Sequence, residues 1–271
     1  MSTDRNSDLP RSEMAMAEDE QYSLLKIFLI WALATAPMVL LAFVVTPAVI
    51  KGFDIPAGIP AFVVFWPFMI IGLVWQFVLS LIIVRRECGN VKWATIRERM
   101  WYRKPSDFRT GRHSWWLLLW AIPFIALSYG SQHVHLPNIV GALFPFVEHL
   151  PHYSLGEVMT PEYKGAWWLL ALTLLTIPFN YFLGEEFIFR GILLPKMRGV
   201  FGRWDWFFNG VFFAMYHLHK PYGIPHQIVF SGLALSLPAR MLRSNWISVI
   251  IHGTEAIIAT WIIMKVILGT L

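Results

Sequence analysis

Pro60-Ala-Phe-Val-Val-Phe-Trp-Pro-Phe-Met-Ile-Ile-Gly-Leu-Val-Trp-Gln-Phe-Val-Leu-Ser-Leu-Ile-Ile-Val84 runs for 25 residues without a charged side chain. As a helix rising 1.5 Å per residue it reaches roughly 37 Å, more than the hydrocarbon core of about 30 Å that it must cross. A transmembrane β-strand would instead show about ten residues of alternating polarity, so a barrel is excluded. Comparable apolar runs fall at 23–50, 114–130, 166–183 and 246–268, with shorter ones at 206–219 and 225–239. They predict an all-α, polytopic membrane helix bundle of about seven to eight transmembrane helices. Composition agrees: 56% of residues are hydrophobic and 14% charged, with mean hydropathy +0.54. A water-soluble enzyme would carry about a quarter of its residues as charges.

The formal charge of +5 is unevenly spread. Nine basic residues lie between the second and third apolar runs: Arg85, Arg86, Lys92, Arg97, Arg99, Arg103, Lys104, Arg109 and Arg112. Lys and Arg are retained on the cytoplasmic side, which puts this loop and, two spans earlier, the N-terminus inside. Segment 131–165 has only Lys164 and falls outside. Trp93, Trp101 and Tyr102 interleave with the basic residues. Beside a bilayer that pattern fits anionic headgroups, so no nucleic-acid partner is expected. Residues 1–22 hold six acids against Arg5 and Arg11 and read as a disordered cytoplasmic tail. They lack the basic start and short apolar core of a cleavable signal peptide. Residues 23–271 form one membrane domain in this reading, in a multi-pass protein of the cell inner membrane. Cys88 is the sole cysteine, so no intrachain disulfide forms.

Ionisable residues inside spans are costly and mark functional sites by default. From residue 166 onward there are four acids, of which Glu185, Glu186 and Glu255 lie in apolar stretches and Asp205 in a basic turn. In Asn180-Tyr-Phe-Leu-Gly-Glu-Glu-Phe-Ile-Phe-Arg190, Glu186 and Arg190 are four apart and can pair on one helix face. Glu185 points about 100° away and shares that arginine poorly. A buried carboxylate with incomplete charge compensation suits a general base.

If one helix runs from Trp167 to about Met197 despite Pro178 and Gly184, Glu185 sits roughly 20 Å from Arg198 along it. By the same rise His217 is roughly 21 Å from Arg203 and His252 roughly 14 Å from Arg243. These three side chains reach similar depth from the same side, which predicts a shared site. Phe213 lies one turn before His217, with Asn209 a further turn back. Between the histidines, Ser231, Gly232, Ala234 and Ser236 make a small-residue surface that lets helices approach closely.

Glu-Glu-x-x-x-Arg at 185–190, Phe-x-x-x-His at 213–217, the small-residue helix, and a last helix opening at Ser244-Asn245-Trp246 and bearing His252 resemble, in order and spacing, the motifs of the CPBP family. This family comprises intramembrane endopeptidases, among them the type II CAAX prenyl endopeptidases and the bacterial Abi-like proteins. The resemblance covers about residues 166–260, the catalytic core in this reading. It implies that Glu185 activates water, that Glu186 pairs with Arg190, and that His217 and His252 complete the site. The family usually carries Asn four residues after the last histidine, where this chain has Ala256. Glu255 and Asn209 are the candidates to replace that amide.

One Glu and two His, at 185, 217 and 252, also have the composition of a catalytic zinc site. The chain has no His-Glu-x-x-His motif, and the resemblance is to a family regarded as glutamate-dependent, so water activation without a cofactor is the expectation. His133, His135, His149 and His152 with Glu148 offer a second, weaker metal cluster on the outer side. The expected function is hydrolysis of a peptide bond in a membrane-associated or prenylated-type substrate, reached from the cytoplasmic side or laterally. The alternative is a non-proteolytic immunity or partner-binding protein on the same scaffold. A proton-coupled transporter ranks last, because the intramembrane acids are confined to one half of the chain.

Overall fold

The computed structural model describes residues 20–56, 58–107, 109–131, 133–134, 136–137, 139–221 and 224–271. Most of the acidic tail, His135 and half of the Lys220-to-Gly223 turn lie outside the described residues. Among the described residues there is no strand, only an isolated bridge between Ser106 and His113.

Among the described residues four helical runs are long and apolar enough to cross a membrane: α1 (Leu24–Gly52), α2 (Ala61–Cys88), α5 (Trp168–Lys196) and α8 (Trp246–Leu268). Shorter pieces complete the bundle: α3 (Trp93–Arg99), α4 (Trp115–Ser131), α6 (Asp205–Tyr216) and α7, which spans 224–242. The run expected at 206–219 is a helix of 12 residues with one 3-10 turn, His217–His219, after it. It is therefore shorter than a full crossing, and the long spans expected around it are only α5 and α8.

Hydrogen bonds sort the helix ends into two groups. At one end, Tyr22 N–H donates to Lys196 C=O (3.0 Å), Ser106 N–H to Leu242 C=O (2.9 Å) and Asn245 N–H to Trp101 C=O (2.8 Å). The basic 89–114 loop, the start of α1 and the α5–α6 and α7–α8 connections thus share one end, as the charge pattern requires. At the other end, Gly165 N–H donates to Ile267 C=O (2.8 Å), and Tyr153 Oη to Ala42 C=O (2.9 Å). Large apolar side chains such as Leu25 and Ile257 remain exposed around the bundle, the surface expected where lipid replaces water.

The small-residue surface works by backbone contact. A Cβ on Gly210 of α6 would strike the Gly232 backbone of α7, and Ser231 Oγ donates to Gly210 C=O (2.7 Å). Ser248 Oγ of α8 in turn donates to Leu235 C=O (3.0 Å). Gly210→Val is therefore expected to force α6 and α7 apart, costing about 1–3 kcal/mol and lowering the melting temperature in detergent. Gly130→Ala, where an added Cβ meets nothing within 4 Å, should leave it unchanged. Equal melting temperatures for the two variants would contradict the backbone contact.

Candidate active site

α5 is continuous in length but irregular in winding. Wide π-type turns occupy Phe179–Leu183 and Phe187–Leu193, on either side of Gly184, Glu185 and Glu186. Such turns recur at functional sites because they redirect side chains at the expense of regular hydrogen bonding. Gly184 makes the irregularity possible: a Cβ there would meet Phe179 C=O of its own helix and Leu73 C=O of α2. The two backbones touch at that point, beside the acidic pair.

Glu185 and Glu186 are both buried, and they take different partners. Glu186 Oε1 accepts from Arg190 Nη1 at 3.2 Å, the pairing that the four-residue spacing predicts. Arg190 also donates to Ser231 C=O (3.3 Å) and lies 4.1 Å over the Phe213 ring, so it ties α5 to α6 and α7. The same Glu186 oxygen lies 2.9 Å from His252 Nδ1, a contact that the spacing did not reveal. The other ring nitrogen, Nε2, faces Glu185 Oε2 at 3.7 Å and Glu255 Oε2 at 3.8 Å. His252 is thus bracketed by three carboxylates, with Tyr181, Phe230 and Phe213 around its ring. Asn245 Nδ2 donates to Glu186 C=O (3.1 Å) and fixes the start of α8 against this turn. Tyr102, in the basic loop, has its phenol pushed well above the ordinary range, first by burial and then by the Glu186 charge.

A cavity of about 270 Å³ brings Glu185, His217, His252 and Glu255 together. His217 Nδ1 lies 2.9 Å from Phe213 C=O. A carbonyl only accepts, so Nδ1 carries the hydrogen and Nε2 of the neutral ring is an acceptor. Phe213 packs its ring on His217 at 4.8 Å. Asn209 is elsewhere: its amide donates to Phe189 C=O (2.8 Å) and its oxygen accepts from Ser236 (2.8 Å). With both ends committed to helix packing it cannot replace the amide that Ala256 lacks, whereas Glu255 does line the cavity.

Several lining residues carried no signal in the spacing analysis. α2 contributes an apolar wall from Phe62 to Leu73. Tyr181, Asn180, His219, Lys220 and Gln227 add polar groups. Tyr216 faces both Glu185 and Gln76, without a well-formed hydrogen bond to either. Gln76 is fully buried within an apolar span, and that anomaly was available in the sequence, as was Tyr181 one turn before Glu185. A second cavity of about 200 Å³ shares His217, His219, Lys220 and Gln227 with the first and reaches Pro151, His152 and Tyr153. This second cavity lies toward the end opposite the basic loops, at residues 151–153.

Among the described residues no three His, Cys, Asp or Glu side chains are grouped to hold a metal. His252 Nδ1 is taken by Glu186, and His217 Nδ1 by a backbone carbonyl. Both contacts leave Nε2 of the ring open.

Residues 164–258 match a family model described as type II CAAX prenyl endopeptidase Rce1-like. No curated protein and no solved structure matches the chain. The matched segment begins just before α5 and ends within α8, so it contains every polar group of the cavity contributed by α5, α6, α7 and α8. Segment 164–258 is accordingly similar to the Rce1-like type II CAAX prenyl endopeptidases, and sits here in a multi-pass membrane bundle.

Proposed function

We propose that the protein is an intramembrane endopeptidase that hydrolyses a peptide bond of a membrane-associated or prenylated-type substrate with water activated by Glu185. The observation that carries this reading is His252 held between Glu186 and Glu185 on the wall of one buried cavity. Glu186 fixes the imidazole so that Nδ1–H points at the carboxylate and Nε2 faces the reacting carboxyl group. Glu185 takes a proton from water as the water oxygen bonds to the scissile carbonyl carbon. The C–N bond then breaks, and that proton passes from Glu185 to the leaving amine. His217, as an acceptor, positions the water. No metal enters this scheme, and 1,10-phenanthroline should leave hydrolysis unchanged. Its loss on chelation and return with zinc would replace Glu185 as general base by a metal-bound hydroxide.

Ala256 favours the second reading, a non-proteolytic immunity or partner-binding protein, because it leaves no side-chain amide one turn after His252. Comparing membrane-reconstituted wild type with Glu185→Gln on a peptide library decides between the two. Cleavage by wild type alone supports the protease. Absence of cleavage by either, with the same cellular phenotype for both, supports the scaffold reading.

The membrane domain in this reading is 23–271, within the cell inner membrane, with the N-terminus and the basic loop cytoplasmic. The second cavity then gives substrates access from the outer side or laterally. Cys88, half-buried at the end of α2, should react with a membrane-permeant thiol reagent and not with an impermeant one added outside. Gln227→Cys in a Cys88→Ser background should react with both reagents. Labelling of Cys88, and not of Gln227→Cys, by the impermeant reagent would invert the orientation and the route.

A further inference from the structure

We propose that the end of the bundle bearing the basic loop contains a binding site for a phosphate group, separate from the catalytic cavity. A pocket of about 230 Å³ opens there, and Arg99, Arg103, Lys196, Arg198, Arg240 and Arg243 all line it against one acid, Asp205. These six cations come from three separate stretches of chain, so tertiary folding gathers them. Arg99 and Lys196 are buried at its floor. Arg99 is fixed by Glu87 (2.8 Å) and by Gly191 C=O (3.2 Å), and Lys196 donates to Glu20 C=O (3.1 Å). Arg240 is balanced by Asp205 (2.7 Å) and Arg103 by Glu98 (2.7 Å).

Glu87, Glu98 and Asp205 each oppose one of these cations. Arg198 and Arg243 are exposed and have no acidic partner among the described residues. Arg243 is the residue that ends α7 in the left-handed region, at φ 45°, where glycine is the low-strain choice. Trp101, also lining the pocket, has φ 59°. Two of the three non-glycine residues at positive φ among the described residues therefore border this one pocket, and strained backbone concentrates at functional sites.

The ligand chemistry follows from the lining. Guanidinium groups present paired N–H donors that match phosphate oxygens, and Arg198 and Arg243 are exposed to supply them. Basic pockets at the ends of transmembrane helices take phospholipid headgroups in the same way. The phosphate source is then an anionic lipid of the adjoining leaflet or a free phosphate.

The full chain in detergent distinguishes these sources. Inorganic phosphate, against chloride at equal ionic strength, should raise the melting temperature if the source is free phosphate. Native mass spectrometry after exchange into mixed phosphatidylcholine and phosphatidic acid should show selective retention of phosphatidic acid if the source is lipid. Either signal should weaken at least about tenfold in Arg198→Ala/Arg243→Gly, which removes two charge-assisted contacts. Arg243→Gly also relieves the backbone, so the variant folds while losing the site. Arg85→Ala/Arg86→Ala, which removes two exposed cations from the same end but outside the pocket, should bind as wild type does. Absence of both signals in wild type, or equal binding by the pocket variant, would overturn the proposal.

Discussion

Glu185→Gln is expected to abolish peptide hydrolysis by the reconstituted protein while leaving its melting temperature close to that of wild type. Glutamine keeps the size and hydrogen-bonding reach of the side chain but cannot accept a proton from water. The loss should reach at least the roughly hundredfold that general-base catalysis contributes. His252→Ala should be nearly as inactive, and the double variant little worse than Glu185→Gln alone, because groups acting as a unit are not additive. Glu186→Gln offers a finer test. Its amide can still accept from His252 Nδ1 but no longer stabilises an imidazolium, so activity should fall while the protein, with Arg190 now uncompensated, also melts earlier. Undiminished hydrolysis by Glu185→Gln would remove the general base from the mechanism.

Arg190→Ala should be the most damaging single change to the fold. Its side chain and that of Glu186 are both 0% exposed, and breaking a buried pair by removing one partner typically costs about 3–5 kcal/mol. The guanidinium also closes the contact with Ser231 C=O and the Phe213 ring, so its loss loosens three helices. Detergent-extracted yield and melting temperature should drop well below those of Glu185→Ala, whose side chain borders a cavity. Arg190→Lys, which keeps the charge without the planar fork, should fall between the two. Equal stability of the Arg190→Ala and Glu185→Ala variants would show that the pair contributes nothing to folding.

The sequence determined this protein's solvent, its helices and which helix ends share a side, because each follows from one-dimensional quantities. Apolar length fixes what can cross a bilayer, and the basic stretches mark which helix ends share a side. The four-residue step from Glu186 to Arg190 sufficed for their ion pair, since that contact lies within one helix. Spacing also singled out Glu185, His217 and His252 as residues at one depth. It could not assign Asn209, which lies on the helix face of His217 but spends its amide on Phe189 and Ser236. Nor could it show that His252 contacts both glutamates, or that α2 supplies the apolar wall opposite them. Those are facts of rotation and of packing between helices. Around Gly184 the helix winds in π-type turns, so the step of about 100° per residue that links spacing to direction no longer holds. Direction there is set by the backbone contacts of Gly184 with α2 and of Gly210 with Gly232, and these exist only once the bundle has closed.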